Sequence, residues 1–175
     1  MLFRSYNSKS IAWTYNEPTI HLPFSKKTSL LARQKNLKVI YVSNGYYSQE
    51  SIEEILSFVD AFNIDLKSMS HDFYKKVCGA DLDVVLDNLK RVYLEGKHLE
   101  ITNLVINDYN DSIDEIEELC EFVVSELGPE VPLHFSRAFP YYKMGNISPT
   151  KAETLFKAKE IAIDCGIENV FLGNI

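Results

Sequence analysis

The chain has 175 residues, 46% hydrophobic and 25% charged, with a formal net charge of −7, which suits one domain with a sizeable core. So acidic a chain lacks the electrostatic footprint of a general nucleic-acid binder, and no apolar run approaches the ~18 residues of a membrane span. The opening MLFRSYNSKS has no apolar signal-peptide core, so a cytoplasmic location is the default expectation.

In chain order, IAWTYNEPT reads as a first strand. It ends in the polar cluster Tyr15, Asn16 and Glu17, and Pro18 blocks its continuation. Residues 25–34 form a short helical stretch with apolar Leu30, Leu31 and Ala32. KVIYVSNGY is a second strand ending at Ser43 and Asn44, where the Asn-Gly step permits a tight turn with positive φ. Residues 51–58 follow as a helix with a Ser51/Glu54 capping box. AFNIDLKS is a third strand, and its alternation sends Asn63, Asp65 and Lys67 to one face. Residues 81–94 repeat Leu82, Val85, Leu86, Leu89 and Val92 at helical period, and Gly96 stops them. LEITNLVINDYNDS supplies a fourth strand. A helix over 112–127 carries a Ser112/Glu115 box and stops at Gly128. PLHFSRAF is a fifth strand with His134 and Ser136 on one face. Residues 150–165 form a helix from Thr150/Glu153 to Gly166, and VFLGNI closes the chain as a sixth strand.

Regular βα alternation demands a parallel sheet with right-handed crossovers. The near-continuous apolar strands predict helices on both faces. No GxGxxG or GxxxxGK[ST] loop occurs, which argues against a nucleotide-binding open sheet, and the chain is too short for a closed eight-stranded barrel. The expected fold is therefore α/β: a partial, open (β/α) barrel of about six parallel strands, one domain over residues 1–175.

In such folds the C-terminal strand ends share one mouth. Asn16, Glu17, Ser43, Asn44, Asp65, Lys67, Asn107, His134 and Arg137 should converge there. Each residue has a plainer role open to it. Glu17 can bind an amine or brace a loop, Ser43-Asn44-Gly45 can be a turn, Asp65 and Lys67 can form an ion pair braced by Asn63, and His134 can be a hydrogen-bonded core histidine. His21 and His98 have no comparable setting and read as structural, and His71 as a surface residue. No histidine pair has metal-ligand spacing, so no metal site is expected. Cys120 and Cys165 read as packed, reduced residues and Cys78 as an exposed loop residue.

Together, TYNEPT, SNGYY, DAFNIDLKS, FYKKVCGADLDVVL, EITNLVI with NDS, VPLHFSRAFPYYKM and LGN resemble, in order, the radical S-adenosylmethionine (SAM) enzymes of the AmmeMemoRadiSam group, relatives of pyruvate formate-lyase activating enzymes. That resemblance implies a partial (β/α)6 barrel in which a [4Fe–4S] cluster, held by a CxxxCxxC loop after the first strand, reduces SAM to a 5′-deoxyadenosyl radical. It places Glu17 where the family's glutamate holds the SAM amino group, and Tyr15 and Asn16 where the family has glycines. Ser43, Asn44, Asp65, Lys67, His134 and Arg137 match polar positions around the SAM and substrate site.

The departures shape the functional expectation. CxxxCxxC is absent from these residues, Asn107-Asp108 replaces the family's Pro-Gly, and the sequence context of the three cysteines does not suit cluster ligation. The chain is thus expected to be the C-terminal part of a radical SAM barrel, without the first strand and the cluster ligands, and inactive alone. A separate chain would supply the cysteine segment. The alternative is a non-catalytic interaction domain that self-associates or binds a partner through the open edge near residues 10–14. A metal-free acid–base enzyme using Glu17, Asp65, Lys67 and His134 is a third reading.

Overall fold

Six strands form one wholly parallel sheet: β1 (Ser10–Trp13), β2 (Lys38–Ser43), β3 (Ala61–Asp65), β4 (His98–Val105), β5 (Leu133–Arg137) and β6 (Val170–Gly173). The computed structural model describes residues 8–175. The strands lie side by side in chain order, β1-β2-β3-β4-β5-β6. Among the described residues β1 pairs only with β2 and β6 only with β5, so the sheet stays open. This is the partial (β/α) barrel expected from the sequence.

Chain order in the sheet decides where the helices go. Each crossover steps to the next strand in the same direction, and right-handed crossovers then place every helix on the same face. The helices are α1 (Leu22–Arg33), α2 (Gln49–Leu56), α3 (His71–Phe73), α4 (Leu82–Leu94), α5 (Ile113–Phe122) and α6 (Ala152–Asp164). The long ones contribute Ile55, Leu89, Leu119 and Leu155 to the same apolar cluster as Tyr41, Ile64, Ile101 and Phe135 of the strands.

Among the described residues the opposite face carries no helix, which corrects the expectation of helices on both faces. Burial alternates residue by residue along β2, β3 and β4, the mark of strands covered on one side. On the bare inner face stand Asn63, Asp65, Glu100, Thr102 and His134, all partly exposed.

Three helix starts also differ from expectation. A 3-10 turn over Pro18–His21 precedes α1, which begins at Leu22 rather than at residue 25. Helix α2 is capped by Ser48, whose hydroxyl accepts the Ser51 N–H, so Ser51 is not its N-cap. Thr150 does not cap α6. Its hydroxyl donates to the Val105 carbonyl at 2.6 Å and accepts the Ala138 N–H at 3.2 Å. It is fully buried, so it ties the exits of β4 and β5 together. At α5 Ser112 does accept the Glu115 N–H, but the Glu115 side chain reaches elsewhere.

Candidate functional site

The exits of β1, β2 and β3 lie side by side and enclose a cleft of about 360 Å³, lined by Thr14, Tyr15, Asn16, Val42, Ser43, Asn44, Asp65 and Lys67. Six of the nine residues singled out as SAM-binding meet here: Tyr15, Asn16, Ser43, Asn44, Asp65 and Lys67. The Lys67 ammonium sits 2.7 Å from Asp65 Oδ2, and both side chains are about a third exposed. The pair thus presents one anionic and one cationic group to the cleft. Asn63 is not its brace, because its Oδ1 accepts the Thr102 hydroxyl at 2.8 Å.

Glu17 lies behind the cleft as its clasp. Its carboxylate caps the 3-10 turn by accepting the Thr19 N–H at 3.1 Å and the Thr19 hydroxyl at 2.7 Å. It also accepts the Ser43 hydroxyl at 2.8 Å and the Asn44 N–H at 2.9 Å. A carboxylate offers about four lone-pair sites, and these four donors occupy them. The loop-bracing role left open by the sequence is therefore filled.

The turn after β2 is equally fixed. Gly45 has φ +72°, and a Cβ built on it would lie 2.6 Å from Ile64 Cγ2. The Asn88 amide of α4, itself buried, donates to the Gly45 and Tyr47 carbonyls at 2.9 and 3.0 Å. Asn44 Oδ1 accepts the Tyr46 N–H at 2.9 Å. Burial pushes the Tyr47 phenol far up, so it stays neutral, and its hydroxyl has no partner among the described residues.

The segment after β3 hangs on side chains from three other elements. Asn103 of β4 donates to the Leu66 carbonyl at 2.8 Å. The Lys67 N–H donates to the Tyr74 hydroxyl at 3.1 Å, and the Lys67 carbonyl accepts from Asn110 at 2.5 Å. Glu115 accepts the Ser68 hydroxyl and, at 2.7 Å, the Met69 N–H. Asn110 also accepts the Ile106 N–H at 2.6 Å and donates to the Leu104 carbonyl at 2.9 Å. A functional pair is precise when its supporting shell is locked in this way.

A second, mainly apolar cleft of about 390 Å³ shares Asn44 and Lys67 with the first and continues over Phe73, Tyr74, Val77, Leu104 and Met144. Cys78 also lines it. That thiol is half-buried rather than exposed, and burial pushes its pKa up, opposed by nearby Lys67. A larger cavity, about 780 Å³, lies between α2 and α4 and is lined by none of the nine predicted residues.

The remaining predicted residues lie apart. Arg137 Nε donates to the Thr150 carbonyl at 2.7 Å, and its guanidinium stands 5.1 Å from the Phe139 ring centroid. Partly buried Asn107 donates to the Pro149 carbonyl at 3.2 Å. His134 Nε2 lies 2.9 Å from Glu100 Oε2, and the other oxygen of that carboxylate lies 3.0 Å from His98 Nε2. His98 therefore belongs to a polar trio, contrary to its reading as a residue without a setting. Burial pushes the Glu100 carboxyl up, but hydrogen bonds from His98 and His134 and their charge outweigh it and hold it below the usual carboxylate range.

The three thiols do not fit a cluster. Cys120 is buried in α5, and burial beside Cys165 raises it to about 12. Cys78 stands by itself at the second cleft. Among the described residues no cysteine joins a group of three potential metal ligands.

With this geometry in place, comparison with known proteins assigns the class. The sequence model of the radical SAM superfamily matches residues 1–123, and the chain belongs to that superfamily. It is 43% identical over 170 residues to an uncharacterised protein of Methanocaldococcus jannaschii, covering 97% of this chain and 50% of that protein. It is 22% identical over 148 residues to the (2S)-3-sulfopropanediol dehydratase activating enzyme of Klebsiella oxytoca, covering 85% of this chain and 46% of that enzyme. A crystallised domain of the pyruvate-formate lyase-activating enzyme from Bacteroides vulgatus superposes with a TM-score of 0.79 at 20% identity, covering 95% of this chain and all of that one. The chain spans about half the length of the curated relatives it matches.

Proposed function

We propose that these residues form the SAM-holding wall of a radical SAM barrel of the activating-enzyme kind. In this reading the cleft at the exits of β1, β2 and β3 takes the amino-acid end of SAM. The observation that carries it is the convergence of Tyr15, Asn16, Ser43, Asn44, Asp65 and Lys67 on one 360 Å³ cleft. The donor set fits the group. Asp65 faces an ammonium and Lys67 a carboxylate, and the two neutralise each other when no ligand is present. Glu17 orients the Ser43 hydroxyl and the Asn44 backbone rather than meeting the ligand itself. SAM supplies a 5′-deoxyadenosyl radical when it is reduced. The residues here bind and orient it, and the adjoining apolar cleft over Phe73, Tyr74 and Met144 keeps water from the far side of Lys67.

Reduction needs a [4Fe–4S] cluster, and Cys78, Cys120 and Cys165 do not fit one. A CxxxCxxC segment outside these 175 residues would have to supply it. The side of β1 that has no pairing among the described residues favours one place for that segment, because an edge strand is a pairing template. The same edge supports the alternative role, an interaction domain that pairs there with a partner or a second copy. Anaerobic reconstitution with iron and sulfide tests the cluster half of the proposal. This chain alone should give no cluster absorbance, and a stoichiometric cluster on it would overturn the reading.

A further inference from the structure

The inner-face trio His98–Glu100–His134 has a consequence that its distances and chemistry determine. An ionised carboxylate only accepts hydrogen bonds, and the Glu100 carboxyl is held below the usual range. Both imidazole nitrogens facing it, His98 Nε2 at 3.0 Å and His134 Nε2 at 2.9 Å, must therefore carry protons. In neutral His134 the other nitrogen, Nδ1, is then a bare acceptor, and it has no hydrogen-bond partner among the described residues. The ring cannot swing freely. It lies against Phe171 of β6, with centroids 5.0 Å apart and planes 23° from parallel. His98, at the start of β4, meets the other oxygen of Glu100, so each carboxylate oxygen faces one imidazole nitrogen.

The register places this acceptor relative to the cleft. Asp65 pairs with Thr102, and Thr102 pairs with His134. The three residues stand level on adjacent strands and share the inner face. Two strand spacings put the His134 backbone about 10 Å from that of Asp65.

We infer that Glu100 is a positioning residue that locks His134 as the Nε2–H tautomer, and that His134 Nδ1 thereby becomes a fixed acceptor for a hydroxyl or N–H group of the ligand anchored at Asp65 and Lys67. The ligand part of this inference rests on the SAM reading above. The tautomer part stands without it. A carboxylate at position 100 enforces one tautomer, whereas a glutamine does not, because its amide can donate as well as accept.

Nitrogen-15 NMR of the histidine rings in the full 175-residue chain reads this directly. At a pH where the His134 ring is neutral, wild type should show it protonated at Nε2 and unprotonated at Nδ1. E100Q, with far-UV circular dichroism unchanged, should lose that preference, while H98N should keep it. A His134 Nδ1–H tautomer in wild type, or an unchanged tautomer in E100Q, overturns the inference. Adding SAM should move the His134 Nδ1 resonance and leave that of exposed His71 in place. SAM binding seen by calorimetry without that movement overturns the ligand part alone. No SAM binding at all overturns the SAM reading, and the ligand part with it, while the tautomer result still decides the role of Glu100.

Discussion

The Glu17 carboxylate accepts the Asn44 N–H at 2.9 Å across 27 residues of chain. This bond fastens the exit of β1 to the exit of β2. Both walls of the cleft depend on it, since Tyr15 and Asn16 precede Glu17 and Ser43 precedes Asn44. Replacement by glutamine keeps the shape but makes one of the two side-chain positions a donor, facing other donors. Hydrogen bonds to charged groups contribute about 1.5–3 kcal/mol each, and part of that is lost here. Urea denaturation should show E17Q less stable by about 1–3 kcal/mol, and E17A by more.

Gly45 gives a sharper test of the same turn. Its φ of +72° and the 2.6 Å approach of a Cβ to Ile64 leave alanine both strained and overpacked, at about 2–4 kcal/mol together. G45A should lower the denaturation midpoint accordingly, whereas G96A, whose Cβ meets nothing within 4 Å, should incur only the backbone strain of about 1–2 kcal/mol.

Much of this was legible in the sequence, for identifiable reasons. The six strands and the order of the helices follow from apolar runs punctuated by Gly, Pro and capping residues. The alternation in NIDLK placed Asp65 and Lys67 on one face, where they lie. The same alternation applied to HLEIT would have set His98, Glu100 and Thr102 on that face too, yet His98 drew attention only as an isolated histidine. The bracing residues Asn88, Asn110 and Glu115 were not legible, because each sits in a helical or loop pattern and reaches a partner 41–47 residues away. Thr150 misled through its spacing to Glu153, since tertiary bonds to Val105 and Ala138 outcompeted the cap.

Asn110 should rank among the most sensitive of these bracing positions. Its alanine variant leaves the Ile106 N–H and the Lys67 and Leu104 carbonyls without their partner. Unsatisfied buried groups cost about 1–3 kcal/mol each, so N110A should lose about 3 kcal/mol or more in chemical denaturation.

Acidification should separate Glu100 from its glutamine variant. A carboxyl with a depressed folded pKa contributes stability that is present above the usual carboxylate range and is lost as pH falls through the folded value. Thermal denaturation should show the wild-type advantage over E100Q intact near pH 6 and shrinking between about pH 5 and pH 3.

The thiols should report burial by their chemistry. Cys120, raised to about 12 by burial, should resist a disulfide reagent at pH 8 in the folded chain. Cys78 and Cys165, both only partly buried, should react before it, and all three should react in denaturant. Protection of Cys78 by SAM would locate the ligand beside Lys67.

Calorimetric titration of SAM into the 175-residue chain tests the central claim most directly. The account predicts one site per chain, with affinity reduced at least tenfold in D65N and in K67M while far-UV circular dichroism stays unchanged. No binding by the wild-type chain, or equal affinity in both variants, would contradict it.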